Sequence, residues 1–270
     1  MKIAFMGGGN MAGALIGGLI AKGHDAKDIS VVEVDPGARQ KLAARYGVQA
    51  SNSPDAATRE ARVLLLAVKP QDMKAALVSL AGSVRGKLIV SIAAGIRIDT
   101  LSRWLGGHTK LVRCMPNTPA LVGAGISGLF APPDVSADER SSAESILQCV
   151  GEVVWVREER LLDPVTAVSG SGPAYVFWFI EQLAASGVEL GLDRDAAVKL
   201  ALHTVLGAAK LAAQSSEPPG VLRKNVTSKG GTTEAALNVF QEERMAERLL
   251  RAIEAASRRG AELGDELGRD

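Results

Sequence analysis

Cysteine and histidine are scarce here, with two of the first and three of the second in 270 residues. Cys114 and Cys149 have no metal-like spacing and are too few for a disulfide framework, which favours a reducing compartment. His24, His108 and His203 fit no catalytic triad and no metal-ligand spacing, and His203 inside an apolar helical pattern reads as structural. A surplus of charge is missing too. Thirty-one basic residues face 30 acidic ones, a formal net charge of +1, so no basic face for nucleic acid is implied. No stretch offers about 18 uninterrupted apolar residues, so none is expected to span a membrane. The opening MKIAFMGGGN, with one lysine and a very short apolar stretch, does not read as a signal peptide. Neither low-complexity sequence nor an internal repeat occurs. These absences lead to the expectation of a soluble cytoplasmic protein without metal, nucleic-acid or membrane partners.

The composition itself, 47% hydrophobic and 23% charged, is that of a globular protein with ample core. In the first half, short apolar runs alternate with helical patterns. The runs are KIAFM (2–6), ISVVEV (29–34), ARVLLLAV (61–68), KLIVSIAAG (87–95), KLVRCM (110–115), GISGLFA (125–131) and EVVWV (152–156). Strands of this length separated by helices indicate βαβ units and a mostly parallel sheet. The pattern changes at residues 157–164. Beyond it lie helical stretches at 173–191, 194–214 (with Asp193 as a cap) and, as one long tract, 233–267. Expected is an α/β Rossmann-type dinucleotide-binding domain over 1–160 followed by an all-α substrate-binding and dimerisation domain over 161–270. Because the 173–186 segment is apolar on nearly every side, it needs neighbours that about 105 residues of helix do not supply. A second copy of the chain is expected to cover it.

Gly7, Gly8, Gly9, Asn10, Met11 and Ala12 fit G-x-G-x-x-G/A directly after a strand and at the opening of a helix. Gly7 would permit the tight turn, Gly9 the approach of a pyrophosphate, and Ala12 close helix–strand packing. The helix N-terminus adds free N–H groups and partial positive charge. The second strand ends on Glu33 and Asp35, acidic side chains of the kind that bond ribose hydroxyls and repel a 2′-phosphate. Arg39 and Lys41 keep a cation near, so NAD and NADP both remain open. The loops Ala67-Val68-Lys69-Pro70, Ile92-Ala93-Ala94-Gly95 and MPNTP (115–119) each follow a strand, at the edge where open parallel sheets bind ligands. Lys69, before a proline in a loop, reads as orienting phosphate or ribose oxygens, or as a solvated side chain.

The second half carries VTSKGGTTEAAL (226–237). Gly230 and Gly231 allow backbone N–H groups to approach a ligand. Thr232 and Thr233, with Ser228 upstream, add hydroxyls near a helix N-terminus that favours an anion. A threonine N-cap for a helix from Glu234 is the plainer reading of the same residues. No Glu or Gln follows either threonine by three residues, so a reciprocal capping box is missing.

From Met1 to about Leu263 the chain resembles pyrroline-5-carboxylate reductase, the last enzyme of proline synthesis. The most specific matches are SGSGPAYVF (169–177) and PPGVLRKNVTSKGGTTEAAL (218–237), supported by AVKP, SIAAG and RCMPNTP. The resemblance implies reduction of L-1-pyrroline-5-carboxylate to L-proline with NADPH or NADH. It also implies a homodimer, or a higher oligomer built from dimers, through the helical domain. It places Ala67–Pro70, Ala93–Gly95 and Asn225 against the cofactor, the substrate carboxylate at Thr232 and Thr233, and Glu159 against the ligand. Many family members end the second strand with serine, threonine or a basic residue, from which Glu33 and Asp35 depart. Lys229 stands where proline is common. Hydride transfer to a protonated C=N bond requires positioning and exclusion of water more than a catalytic histidine. Thr233 is the candidate to pass a proton to the imine nitrogen. A 3-hydroxyacid dehydrogenase of the 6-phosphogluconate type is the nearest rival, but its catalytic lysine has no counterpart in PAYVFWFIEQLAASG. A dinucleotide-binding protein without chemistry is the other.

Overall fold

The computed structural model describes residues 1–269 except Ser79, Ala81 and Gly82. Two compact units emerge: Met1–Ser171 together with Ala255–Asp270, and Gly172–Glu254. The helical patterns expected to begin a separate domain at 161 thus group with the sheet as far as Ser171, and the C-terminal residues join it as well.

The first unit is built on eight strands, β1 (Ile3–Met6), β2 (Ile29–Val32), β3 (Gln49–Ser51), β4 (Val63–Leu66), β5 (Leu88–Ser91), β6 (Leu111–Met115), β7 (Gly125–Phe130) and β8 (Gly151–Trp155). Their order is β3-β2-β1-β4-β5-β6-β7-β8, and every pairing is parallel except β6 with β7. β1, β2, β4 and β5 are buried along their whole length. Such strands read as unbroken apolar runs because helices cover both sheet faces. Ile3, Phe5, Leu15, Ile16, Leu65 and Val90 belong to one core, and Ala4, Met6, Leu64, Leu66, Met73 and Ile89 to the other. The sequence QDMKAALVSLAGSV (71–84) after the fourth strand reads as helical; Met73–Val78 is α-helical, and Ser79, Ala81 and Gly82 lie outside the described residues. Burial drives the Cys114 thiol far above its ordinary pKa, so this cysteine is an inert part of the core.

A charged network ties the C-terminal turns to the sheet. Arg113 on β6 is 4% exposed, and its Nη1 donates to Glu159 Oε1 at 3.1 Å. Asp163 lies between Arg113 (4.0 Å) and Arg97 (3.7 Å), and Arg97 reaches Asp265 at 3.4 Å. Arg103 donates to the Gly268 carbonyl at 2.7 Å.

The second unit pairs the helix Gly172–Glu189 with the helix Arg194–Gln214. Asp193 caps the latter, its Oδ1 accepting from the N–H groups of Asp195 and Ala196. At their crossing Gly187 lies against Ala197, where an added methyl would come within 3.2 Å of the Ala197 methyl carbon. Ala184, Ala197 and Ala201 are buried there. Large apolar side chains face outward instead, among them Phe177 (65% exposed), Trp178 (55%), Leu200 (57%) and Leu211 (57%). By length and composition Arg194–Gln214 could cross a membrane, although Lys199 and Lys210 interrupt it. The tract expected as one helix over 233–267 is two, Thr232–Glu242 and Met245–Leu267. Arg244 takes a left-handed φ of 53° and pairs through its guanidinium with Glu247. The Glu243 carbonyl accepts from Arg248 Nε at 2.8 Å. Every residue of this break is a good helix former, so the pattern concealed it.

Removing the buried guanidinium should leave Glu159 without its partner charge. We expect Arg113→Leu to cost about 3 kcal/mol, seen as a lower thermal midpoint and faster proteolysis after residue 255. An unchanged midpoint would show that the network does not hold the C-terminal turns.

Candidate active site

At the carboxyl edge of the sheet, β1 leads to β2 on one side while β4 continues on the other, which makes the β1–β4 boundary the topological switch point where such sheets bind ligands. Gly7 sits there with φ of 98°, and a Cβ on it would fall 2.7 Å from the Ala67 carbonyl oxygen. Only glycine accepts both the dihedral and the approach. Gly9 is the N-cap of the helix Asn10–Ala21, and no side chain caps that end. Nothing lies within 4 Å of where a Gly9 Cβ would be. Open space in front of an uncapped helix N-terminus with no acidic residue in its first turn suits a pyrophosphate. The donor set therefore fits a dinucleotide. Ala12, 1% exposed, packs beneath it, while Asn10 and Met11 form the first turn.

A cleft of about 550 Å³ opens beside this turn. Gly7, Gly9, Glu33, Ala67, Val68 and Lys69 line it. Glu33 Oε2 accepts from the Gly8 N–H at 2.7 Å, and Oε1 from the Asp35 N–H at 2.9 Å. Asp35 has a different task, capping the helix Pro36–Tyr46 through the Ala38 N–H. Pro70 opens a 3₁₀ turn at Pro70–Asp72. Asn52, Ser53 and Asp72 also line the cleft and were not singled out from the sequence. The first two follow β3, whose three residues, QAS, are too short and polar to announce a strand.

Ala93, Ala94 and Gly95 form the turn after β5, away from that cleft's lining. Ala93 is 5% exposed, and an added Cβ on Gly95 would come within 3.0 Å of Leu267. Glu159 is engaged internally, accepting from the Ile98 N–H at 2.8 Å as well as from Arg113. It therefore caps the helix Ile98–Trp104, which follows the same turn and whose own N-cap residue, Arg97, supplies no side-chain acceptor. Asn117 connects the MPNTP loop to the SGSG segment, donating to the Ser169 carbonyl at 3.2 Å and accepting from Ile126 N–H at 2.9 Å. Thr166–Gly170 is a π-helical turn closed by the Ser171 N–H on the Thr166 carbonyl. Ser169 Oγ donates to the Val165 carbonyl, so these serines shape the chain.

Asn225, Ser228, Gly230, Gly231, Thr232 and Thr233 belong to the second unit. Asn225 ends the helix Pro219–Asn225. Gly231, rather than a threonine, is the N-cap of the helix Thr232–Glu242, with extended backbone at φ −86° and ψ 171°. That corrects the reading of a threonine cap: both threonines occupy the first turn, and no side chain caps it. An added Cβ on Gly231 would lie 2.5 Å from Ser228 Oγ, so the extended bend folds tightly. Gly230 has φ of 71° and donates its N–H to Glu234 at 2.7 Å. The result is a second glycine-led helix N-terminus, carrying two hydroxyls. The histidines stand apart from this chemistry: His24 meets the Met1 carbonyl and His108 the Lys87 carbonyl.

Comparison with known proteins agrees with this architecture. Residues 159–263 match the family model described as pyrroline-5-carboxylate reductase dimerisation, and residues 2–95 the model described as NADP oxidoreductase coenzyme F420-dependent. The pyrroline-5-carboxylate reductase of Pseudomonas aeruginosa is 47% identical over 270 residues, covering 99% of this chain and 98% of the relative. A pyrroline-5-carboxylate reductase structure from Coxiella burnetii superposes with a TM-score of 0.93 at 39% identity, covering 97% of this chain and 98% of that one. The pyrroline carboxylate reductase of Plasmodium falciparum, solved with NADP bound, gives 0.85 at 29% identity, with 98% of each chain covered. With a Rossmann sheet, a glycine-led dinucleotide turn, an outward-facing apolar helical unit and full-length identity of this order, the chain belongs to the pyrroline-5-carboxylate reductase family.

Proposed function

We propose that this chain reduces L-1-pyrroline-5-carboxylate to L-proline with NAD(P)H, and that Thr232 and Thr233 hold the substrate. Family membership supports the reaction. The observation that carries the residue assignment is the first turn of Thr232–Glu242, which has two hydroxyls and no side-chain cap, its one carboxylate, Glu234, being engaged by the Gly230 N–H. When bound, the nicotinamide supplies a hydride to C5 of the protonated imine, and the C=N electron pair moves onto nitrogen.

The remaining work falls to the protein. The Thr232 hydroxyl and the first-turn N–H groups, that of Thr233 among them, donate to the substrate carboxylate, which the helix end also favours electrostatically. Gly230, held by Glu234, keeps the loop from collapsing onto that position. Thr233 Oγ1 donates toward the ring nitrogen as it becomes an amine. Gly7, Gly9 and the first turn Asn10–Ala12 hold the pyrophosphate, while Gly8 ties the turn to Glu33. Glu33 takes the ribose, and Ala67–Pro70 contact the coenzyme. Ala93–Gly95 shape its edge from behind. Glu159 serves by fixing the turn after β5 rather than by touching substrate.

The outward apolar side chains of the second unit belong, in this reading, in a homodimer interface, from which higher oligomers are assembled. Burial there would cover the apolar faces without a membrane, and a cytoplasmic location is part of the same proposal.

Purified protein should oxidise NADH or NADPH in the presence of pyrroline-5-carboxylate, followed at 340 nm. No turnover with either coenzyme would defeat the reading. Thr233→Ala should lower kcat/KM by roughly 10²-fold while leaving coenzyme affinity within about twofold. If dinucleotide affinity fell instead, the assignment of this turn to substrate would be wrong. Trp178→Glu should shift the assembly to a smaller species in sedimentation; an unaltered assembly would place the interface elsewhere.

A further inference from the structure

Glu33 stands out because its carboxylate is anchored at both oxygens. The Gly8 N–H holds Oε2 at 2.7 Å and the Asp35 N–H holds Oε1 at 2.9 Å. The glycine turn presses on the same side chain: an added Cβ on Gly8 would approach Glu33 Cβ and Cγ at 3.3 Å and Leu42 Cδ1 at 2.5 Å. Swinging this carboxylate away would break two charge-assisted hydrogen bonds, one of them to the turn itself. Each oxygen keeps a second lone pair, so the group still accepts from hydroxyls in the cleft it lines.

Cations stand near it, Arg39 on the adjoining helix and Lys69 on the same cleft, but among the described residues neither forms an ion pair with its carboxylate. Arg39, the cation of the adjoining helix, spends Nη1 on the carbonyls of Glu33 and Val34, at 2.7 and 2.9 Å. Asp35 adds a second carboxylate at the end of the strand, held in its capping role. Asp72 is a third acidic group on the cleft, and Lys69 belongs to the turn after β4.

Resting on the dinucleotide reading above, we infer that Glu33 is the specificity-determining residue for the coenzyme, and that this chain binds NADH in preference to NADPH. Its pinned carboxylate accepts from the 2′- and 3′-hydroxyls of the adenosine ribose. The same carboxylate meets a 2′-phosphate with like charge, and moving away breaks both of its hydrogen bonds.

The test is equilibrium binding without turnover, titrating full-length protein with NADH and with NADPH and reading coenzyme fluorescence at low salt. Wild type should bind NADH on the order of tenfold or more tightly than NADPH, and the gap should narrow as salt rises. Glu33→Ser should reduce or reverse the ratio. In competition against bound NADH, 2′,5′-ADP should displace no better than 5′-AMP from wild type, a readout that does not depend on the variant folding. Equal or tighter binding of NADPH by wild type would overturn the assignment, as would a ratio unaltered in a folded Glu33→Ser protein. Binding of neither coenzyme would instead overturn the dinucleotide reading beneath it.

Discussion

At the carboxyl edge of the sheet, β1 and β4 leave no room for a side chain between them. The Ala67 carbonyl oxygen stands 2.7 Å from where a Gly7 Cβ would begin, and the Ala67 N–H is bonded to the Met6 carbonyl at 2.7 Å. This close approach turns the chain sharply after β1 and leaves the following helix N-terminus pointing into open space. It also fixes Gly8 where its amide meets Glu33. Crevice, uncapped helix end and the Gly8–Glu33 bond are thus consequences of one steric constraint, the absence of a Cβ at residue 7.

The anion chemistry shows the same economy. At four helix ends short polar side chains close the first turn: Asp35, Asp55, Ser136 and Asp193 each accept from first-turn N–H groups. The helices starting at Asn10 and Thr232 have glycine at the N-cap and no such acceptor. Their free donors suit a pyrophosphate in one case and a small carboxylate in the other. A reductase of a cyclic imine needs little beyond these, since the chemistry is hydride transfer and the protein contributes placement and dryness.

Much of this was legible in the sequence because it depends on local patterns. Seven of the eight strands announce themselves as apolar runs, and GGGNMA follows the first of them directly. β3 does not, being three residues of QAS, and with it went the Asn52–Ser53 wall of the cleft. The helix break at Arg244 was hidden because a left-handed arginine leaves no compositional mark. Glu159 shows a different limit. Its family resemblance pointed to the ligand, whereas its hydrogen bonds to Ile98 and Arg113 depend on residues 61 and 46 positions away. Long-range pairing of this kind has no periodicity to read. The grouping of residues 255–269 with the sheet is equally non-local, set by Arg97 and Arg103 reaching the last helical turns.

The most direct measurement is a crystal structure with NADH and proline bound together. The account expects the pyrophosphate on the first-turn N–H groups after Gly9 and the proline carboxylate on Thr232 and Thr233. A carboxylate bound away from both threonines, or a pyrophosphate remote from the glycine turn, would contradict it.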